Sequence, residues 1–349
     1  MPRLAALAHG RDNNFQLIRL LAATGVVLFH SYALTDHWTD EPLWQRMPEL
    51  NFGALGVSCF FVISGFLVTQ SWLARARVVP FAAARALRIY PALAGAVVLT
   101  LLLAWLSGTL PLGAFLTDPQ TRDYIVHVTP AWDMRHQLPG AFPENPIPHD
   151  VNGSLWTLPV ELRLYVAVLV AGMVGLLARR VAWFAVLWLL LIGWLWRPAW
   201  LPPLPLNKVI GDLVLLFALG SLACVWRKAI PISLALAAAA LLLVIANPAD
   251  LARGALFAPL LAYIVLVAAY HPRLAWPAFN RLGDYSYGVY VYSFPIQQTL
   301  VQRVPGIEPA PLFAMAMSLT LVVAALSWHF LERPALSLKS RFRPPDRTP

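Results

Sequence analysis

Charge is scarce in this chain. Of 349 residues only 12% are Asp, Glu, Lys or Arg, against 59% that are hydrophobic, whereas a soluble domain carries about 25% charged residues. A soluble protein of this length buries a large core but must still cover it with polar surface, and too little is present here. Cysteine is scarcer still. Cys59 and Cys224 are the two in the chain, and both lie in apolar runs. That excludes a disulfide framework and metal-ligand spacing and leaves them as small packing residues. Internal repeats and low-complexity tracts are absent apart from Ala/Leu-rich stretches such as 234–243.

What is present is a series of apolar runs close to the ~20 residues a helix needs to cross a bilayer. The expectation is an all-α polytopic bundle of about ten transmembrane helices, over roughly 15–34, 53–74, 82–107, 154–178, 181–197, 209–226, 230–247, 253–270, 282–302 and 311–331. A segment 1–14 precedes this transmembrane domain of 15–336, and a basic tail, 337–349, follows it. The first run follows Arg3 and Arg11, as a signal peptide would, but it contains Arg19 and His30 and has no Ala-x-Ala exit. It is therefore expected to stay as a helix. The net charge of +9 reads as topology and not as nucleic-acid binding. With the N-terminus inside, 17 Lys and Arg fall on inside segments and 7 on outside ones, with Arg19 and Arg163 left within helices. The positive-inside rule then places both termini in the cytoplasm. Two outside loops, 35–52 and 108–153, are acidic and aromatic. Connections this long are uncommon without a function. The prolines of the second favour an ordered, extended surface loop over a helix. Trp38, Trp44, Tyr124 and Trp132 in these loops suit either sugar stacking or anchoring at the membrane interface.

Ionisable groups inside such helices are expensive and mark function by default. Arg19 and His30 are eleven residues apart, which puts them on one helix face about 16 Å apart along the axis. Glu161 follows Asn152-Gly-Ser-Leu-Trp-Thr-Leu-Pro159, where Pro159 disfavours helix at Leu158. Counting inward from Ser154 places Glu161 at a depth like that of His30, where a carboxylate would orient an imidazole acting as general base. Arg85 and Arg88, three residues apart, project together at the inner rim and suit bidentate phosphate binding. Plainer readings stand beside these. His30 can be a bonded structural residue, Arg19 can snorkel to headgroups, Glu161 can pair with Arg163, and Arg85 and Arg88 can be ordinary inside positives. Small residues at Gly53, Gly56, Ser64 and Gly65 read first as close helix packing.

In order, these segments resemble the membrane-bound acyltransferase 3 family, bacterial O-acyltransferases of cell-surface glycans. The matching pieces are Arg19 through His30, Gly56-Val-x-x-Phe-Phe-Val-Ile-Ser-Gly-Phe66, Arg85-x-x-Arg88-Ile-Tyr-Pro91, Ser154-Leu-Trp-Thr-Leu-Pro-Val-Glu161, Leu282-Gly-Asp-Tyr-Ser-Tyr-Gly-Val-Tyr290 and Phe330-Leu-Glu-Arg-Pro334. Each is short, but six in the right order are specific. The resemblance implies transfer of an acyl group, usually acetyl, from cytoplasmic acyl-CoA (acetyl-CoA) to a sugar hydroxyl outside. No metal is implied, and the partners are the donor, a glycan or lipid-linked acceptor and the bilayer. It implies His30 as catalytic residue, Arg19 as its essential partner, Arg85 and Arg88 as binders of donor phosphates, and Glu161 as the family's acidic position. Ser58, Ala84 and Ser293 depart from its pattern, where an acid, a further arginine and a histidine are frequent. No hydrolase-like extension is expected after the last helix. Two other readings remain open: a transporter or flippase of a lipid-linked sugar, and a structural partner in a glycan assembly.

Overall fold

The computed structural model describes residues 1–8, 12–47, 50–187, 208–246 and 256–342. Among these the chain is helical, with isolated bridges in place of strands. The principal helices are α1 (Phe15–Ala33), α2 (Phe52–Leu73), α3 (Val78–Ser107), α4 (Pro119–Val128), α5 (Leu158–Met173), α6 (Lys208–Val225), α7 (Leu234–Ala246), α8 (Phe257–Tyr270), α9 (Ser286–Arg303) and α10 (Pro309–Ser327). Among the described residues six segments are long and apolar enough to cross a membrane: α1, α2, α3, Gly153–Met173, α6 and Pro309–Phe342. Large apolar side chains such as Leu21, Val98, Val322 and Phe330 stay exposed, as on a bundle whose outer solvent is hydrocarbon. Most of the span expected at 181–197 lies outside the described residues.

Packing is tightest where side chains vanish. Gly65 of α2 faces the Phe217 carbonyl of α6, and Gly220 of α6 faces the Val62 carbonyl of α2, each at a distance that leaves no room for a Cβ. Without a hydrophobic drive between helices in lipid, such close backbone approach supplies the dispersion contact instead. Beside it, Thr69 Oγ1 donates to Ser221 Oγ at 2.7 Å.

The segments expected inside meet at one end of the bundle. Leu4 N donates to Ile230 O, Asn14 Nδ2 donates to the carbonyls of Ala268 and Leu274, and Asn280 Nδ2 donates to Asn13 O. At the other end Gln302 bonds Ser107 O and Asn145 bonds Gln298.

Three sequence expectations change. Loop 108–153 is not simply extended: it contains Leu112–Thr117 and α4. Pro119 occupies the first turn of α4, where a missing N–H costs nothing, and Asp118 caps it by accepting from Gln120 N at 2.8 Å. The same loop reaches back along the bundle, since Pro130 O accepts from Tyr90 of α3 and Trp132 O from Arg163 of α5. The Arg163 guanidinium stacks on the Trp132 ring at 4.9 Å, so Arg163 is partnered by the loop and not by Glu161. Third, α9, in the span expected at 282–302, packs inside the bundle and is not among the segments apolar enough to be read as crossing a membrane. Its Ser293, Gln297 and Gln298 are fully buried, and it runs through the interior against α1, α3 and α10. Polar side chains are stable there because neighbouring helices pair with them, as Gln297 Nε2 does with Val27 O and Ser31 Oγ.

Candidate active site

A cavity of about 100 Å³ opens between α1, α2, α3, α5 and α9. Arg19, Arg85, Arg88 and Glu161 all line it, with Ser64, Tyr165, Tyr287 and Tyr290. Four of the five candidate residues are thus brought together, and His30 is the one left out of the lining.

Local structure explains each placement. Arg19 lies four residues into α1, on the face that turns toward α9. Arg85 and Arg88 lie farther along their helix than expected, because α3 begins at Val78 and not at 82. Arg88 is therefore about 15 Å from the helix start. Pro91 lies inside α3 and removes one backbone donor in the turn that follows Arg88.

The cations are held by a carboxylate that charge scarcity did not single out. Asp284, in the turn before α9, accepts through Oδ2 from Arg19 Nη2 at 2.7 Å and from Arg88 Nη2 at 2.8 Å. Ser286 Oγ donates to its other oxygen at 2.5 Å. Glu332 adds a further contact to Arg88 Nη1 at 3.4 Å from a π-helical turn, Trp328–Glu332, that ends α10. Both acids lie in quoted motifs, Leu282-Gly-Asp and Phe330-Leu-Glu, but at helix ends, where a carboxylate reads as ordinary. Arg19 therefore does not simply snorkel.

Glu161 has different company from that expected. Its Oε1 accepts from Ser64 Oγ at 2.8 Å and from the Tyr165 hydroxyl. The depth estimate failed because it set Ser154 at the membrane edge. Ser154 instead lies level with His30: its Oγ is 3.5 Å from His30 Nδ1. Glu161, seven residues on through a 3-10 turn (Gly153–Thr157) and the start of α5, falls about 10 Å deeper, at the level of the arginines.

His30 is half-buried in neutral surroundings. Phe294 meets its ring edge-on at 5.0 Å, and Phe29 lies at 5.6 Å. Nearby, Asn152 Oδ1 and Gln297 Oε1 are buried without a protein partner. The turn Gly153–Thr157 separates His30 from the cavity and also joins the two. Tyr290, a cavity residue, donates to Ser154 O at 2.6 Å and bonds Thr157 Oγ1 at 2.7 Å.

The multi-pass helical bundle thus carries a charged cavity on one side of a short turn and the His30 imidazole on the other. A family model described as an acyltransferase domain matches residues 12–329, and the chain belongs to that acyltransferase 3 family. It is an O-acyltransferase. It is 30% identical over 346 residues to an O-acetyl transferase of Shigella phage Sf6, covering 95% of this chain and 98% of that protein. It is also 28% identical to Nodulation protein 10 of Rhizobium leguminosarum bv. viciae, over 95% of each. A putative peptidoglycan O-acetyltransferase of Bacillus subtilis is 32% identical over 92 residues, 23% of this chain and 14% of that one. No solved structure matches the chain.

Proposed function

We propose that this O-acyltransferase takes an acyl group, acetyl in the first instance, from acyl-CoA on the cytoplasmic side and delivers it to a hydroxyl of a surface or exported glycan. In this reading it is a multi-pass protein of a bacterial inner membrane with both termini cytoplasmic, as the 17 to 7 distribution of basic residues supports. The observation that carries the reading is the partition Ser154–Thr157. On one side lies a cavity with three arginines, and on the other lies His30, with Tyr290 and Ser154 bonded through the wall between them.

The chemistry follows from the two sides. The cavity receives the donor from the basic end, where guanidinium groups match phosphate oxygens. The thioester end of the donor then reaches His30. In the tautomer with its proton on Nδ1, His30 faces Ser154 Oγ with that N–H at 3.5 Å, and Nε2 is left to take the proton of the acceptor hydroxyl. The acceptor oxygen attacks the thioester carbonyl, the C–S bond breaks, and the leaving thiolate receives the proton that Nε2 took from the hydroxyl. Ser154, and not Glu161, orients the imidazole. Arg19 lies about 16 Å inward of His30 along α1, so it acts on the donor and not on an oxyanion beside the histidine.

The test is O-acetyl content of surface glycans in cells lacking the protein, complemented at matched membrane levels. Wild type is expected to restore acetylation and His30→Ala is not. Full restoration by His30→Ala removes the catalytic assignment. Unchanged acetylation with altered glycan export removes the transferase reading of the acceptor altogether.

A further inference from the structure

Three arginines line the cavity, but they are not equally available to an anion. Arg88 contacts two carboxylates, Asp284 at 2.8 Å and Glu332 at 3.4 Å. Arg19 contacts Asp284 at 2.7 Å. Asp284 and Glu332 are buried, their side chains 8% and 1% exposed. For Arg88 to turn to a phosphate, Glu332 would lose the arginine that balances it and Asp284 one of its two, which is strongly unfavourable, while Arg19 is held to the wall through the same Asp284. Arg85 differs. It has no carboxylate at ion-pair distance among the described residues; its buried, unpartnered Nε it shares with Arg19, and its place over a tyrosine ring, Tyr165 at 5.7 Å, it shares with Arg88 over Tyr287 at 5.4 Å.

The turn that carries Asp284 is built to hold it still. Gly283 has φ +103°, and the Trp328 indole occupies the space where a side chain would project. Only glycine adopts that backbone without strain. Trp328 also begins the π-helical turn that supplies Glu332, so one contact sets both acids. Ser327 Oγ donates to Glu332 Oε1 at 3.2 Å.

Resting on the donor chemistry of the preceding section, we propose that Asp284 is a positioning residue. It fixes Arg19 on the cavity wall and, with Glu332, withholds Arg88, leaving Arg85 as the guanidinium that meets a phosphate of the donor. The pair three residues apart is thereby split, one member structural and one recognising. Each acid has its own part: Asp284 sets the angle of Arg19, and Glu332 balances the remaining charge of Arg88.

The experiment is calorimetric binding of CoA, with initial-rate kinetics of acetyl transfer, on full-length protein purified in nanodiscs. Arg85→Gln is expected to weaken CoA binding ~10–100-fold, the loss of a charge-assisted hydrogen bond, with kcat at saturating donor changed much less. Arg88→Lys and Asp284→Glu, which keep the charge count, are expected to hold CoA affinity within about threefold and to lower kcat instead. Asp284→Glu should retain more activity than Asp284→Asn, and melting curves show whether the latter folds. Equal loss of CoA affinity in Arg85→Gln and Arg88→Lys overturns the division of roles. So does unchanged affinity in Arg85→Gln while wild type binds. Failure of wild type itself to bind CoA removes the donor reading, and the inference falls with it.

Discussion

The cavity and the surroundings of His30 lie on the two sides of one short turn, yet they are built on opposite principles. The cavity concentrates ions: Arg19, Arg88, Asp284 and Glu332 share contacts of 2.7–3.4 Å, and Glu161 and Arg85 stand beside them. Around His30 the neighbours are Phe29, Phe294 and Ser154, with the amides of Asn152 and Gln297 near. A buried ion cluster stays where its partners hold it, because separating a pair leaves a bare charge. A neutral imidazole has no such tie and can exchange a proton. The difference is the one the proposed division of labour calls for, a charged side to hold the donor and a neutral side to react with it.

The comparison breaks most sharply at His30. His30→Ala is expected to lower the transfer rate by ~10²–10⁴, the usual worth of a positioned base, with CoA binding retained. Parallel loss of CoA binding would mean the two sides are not separate. Asp284→Ala acts on the opposite side and on stability. It leaves two arginines around one vacated carboxylate and is expected to cost about 3–5 kcal/mol, read as a lower melting temperature in nanodiscs. An unshifted melting curve would show that the cluster does not hold the fold. Gly220→Leu tests the scaffold under both sides, since any Cβ there collides with the Val62 carbonyl. A loss of about 1–3 kcal/mol is expected for such overpacking, with no change in the ratio of CoA affinity to rate among the molecules that fold.

Asp150 sharpens the comparison from loop 108–153. Its carboxyl is raised from 3.8 to about 6, because burial outweighs the pull of His136. A carboxyl raised in the folded state supports folding while protonated. Its contribution is therefore full below pH 3.8 and is lost as pH rises through about 6. Between these values the melting temperature of wild type should fall more steeply than that of Asp150→Asn, and coincident slopes would contradict the assignment. The smallest effect is expected from Tyr90→Phe, which removes the bond to Pro130 O. It should cost about 1 kcal/mol and increase protease cleavage in loop 108–153 without touching CoA affinity.

Much of this was legible in the residues. Apolar runs located α1, α2, α3, α5 and α6 within a few residues, and the small residues of α2 were read as packing, as Gly65 against Phe217 shows. The shared face of Arg19 and His30 needed only the helical repeat. Arg19, Arg85, Arg88 and Glu161 were named as candidates and share one cavity. The partners were not legible. Glu161 was assigned to His30 and bonds Ser64 and Tyr165 instead. Asp284 drew no notice, although it joins two of the named arginines. That the glutamines and serines of α9 lie in the interior shows only in the packed bundle.

The division has a physical cause. Hydrophobic length, helical period and turn chemistry act within a few residues, so the sequence by itself determined that this is a membrane-type helical bundle and which side chains share a helix face. Ion pairing and burial act between helices far apart in the chain: Arg19 meets Asp284 and Arg88 meets Glu332 only once α1, α3, α9 and α10 have packed. Which charge is neutralised, which remains free, and how deep Glu161 lies relative to His30 were decided by the tertiary structure alone, because a register between separate helices is written in neither of them.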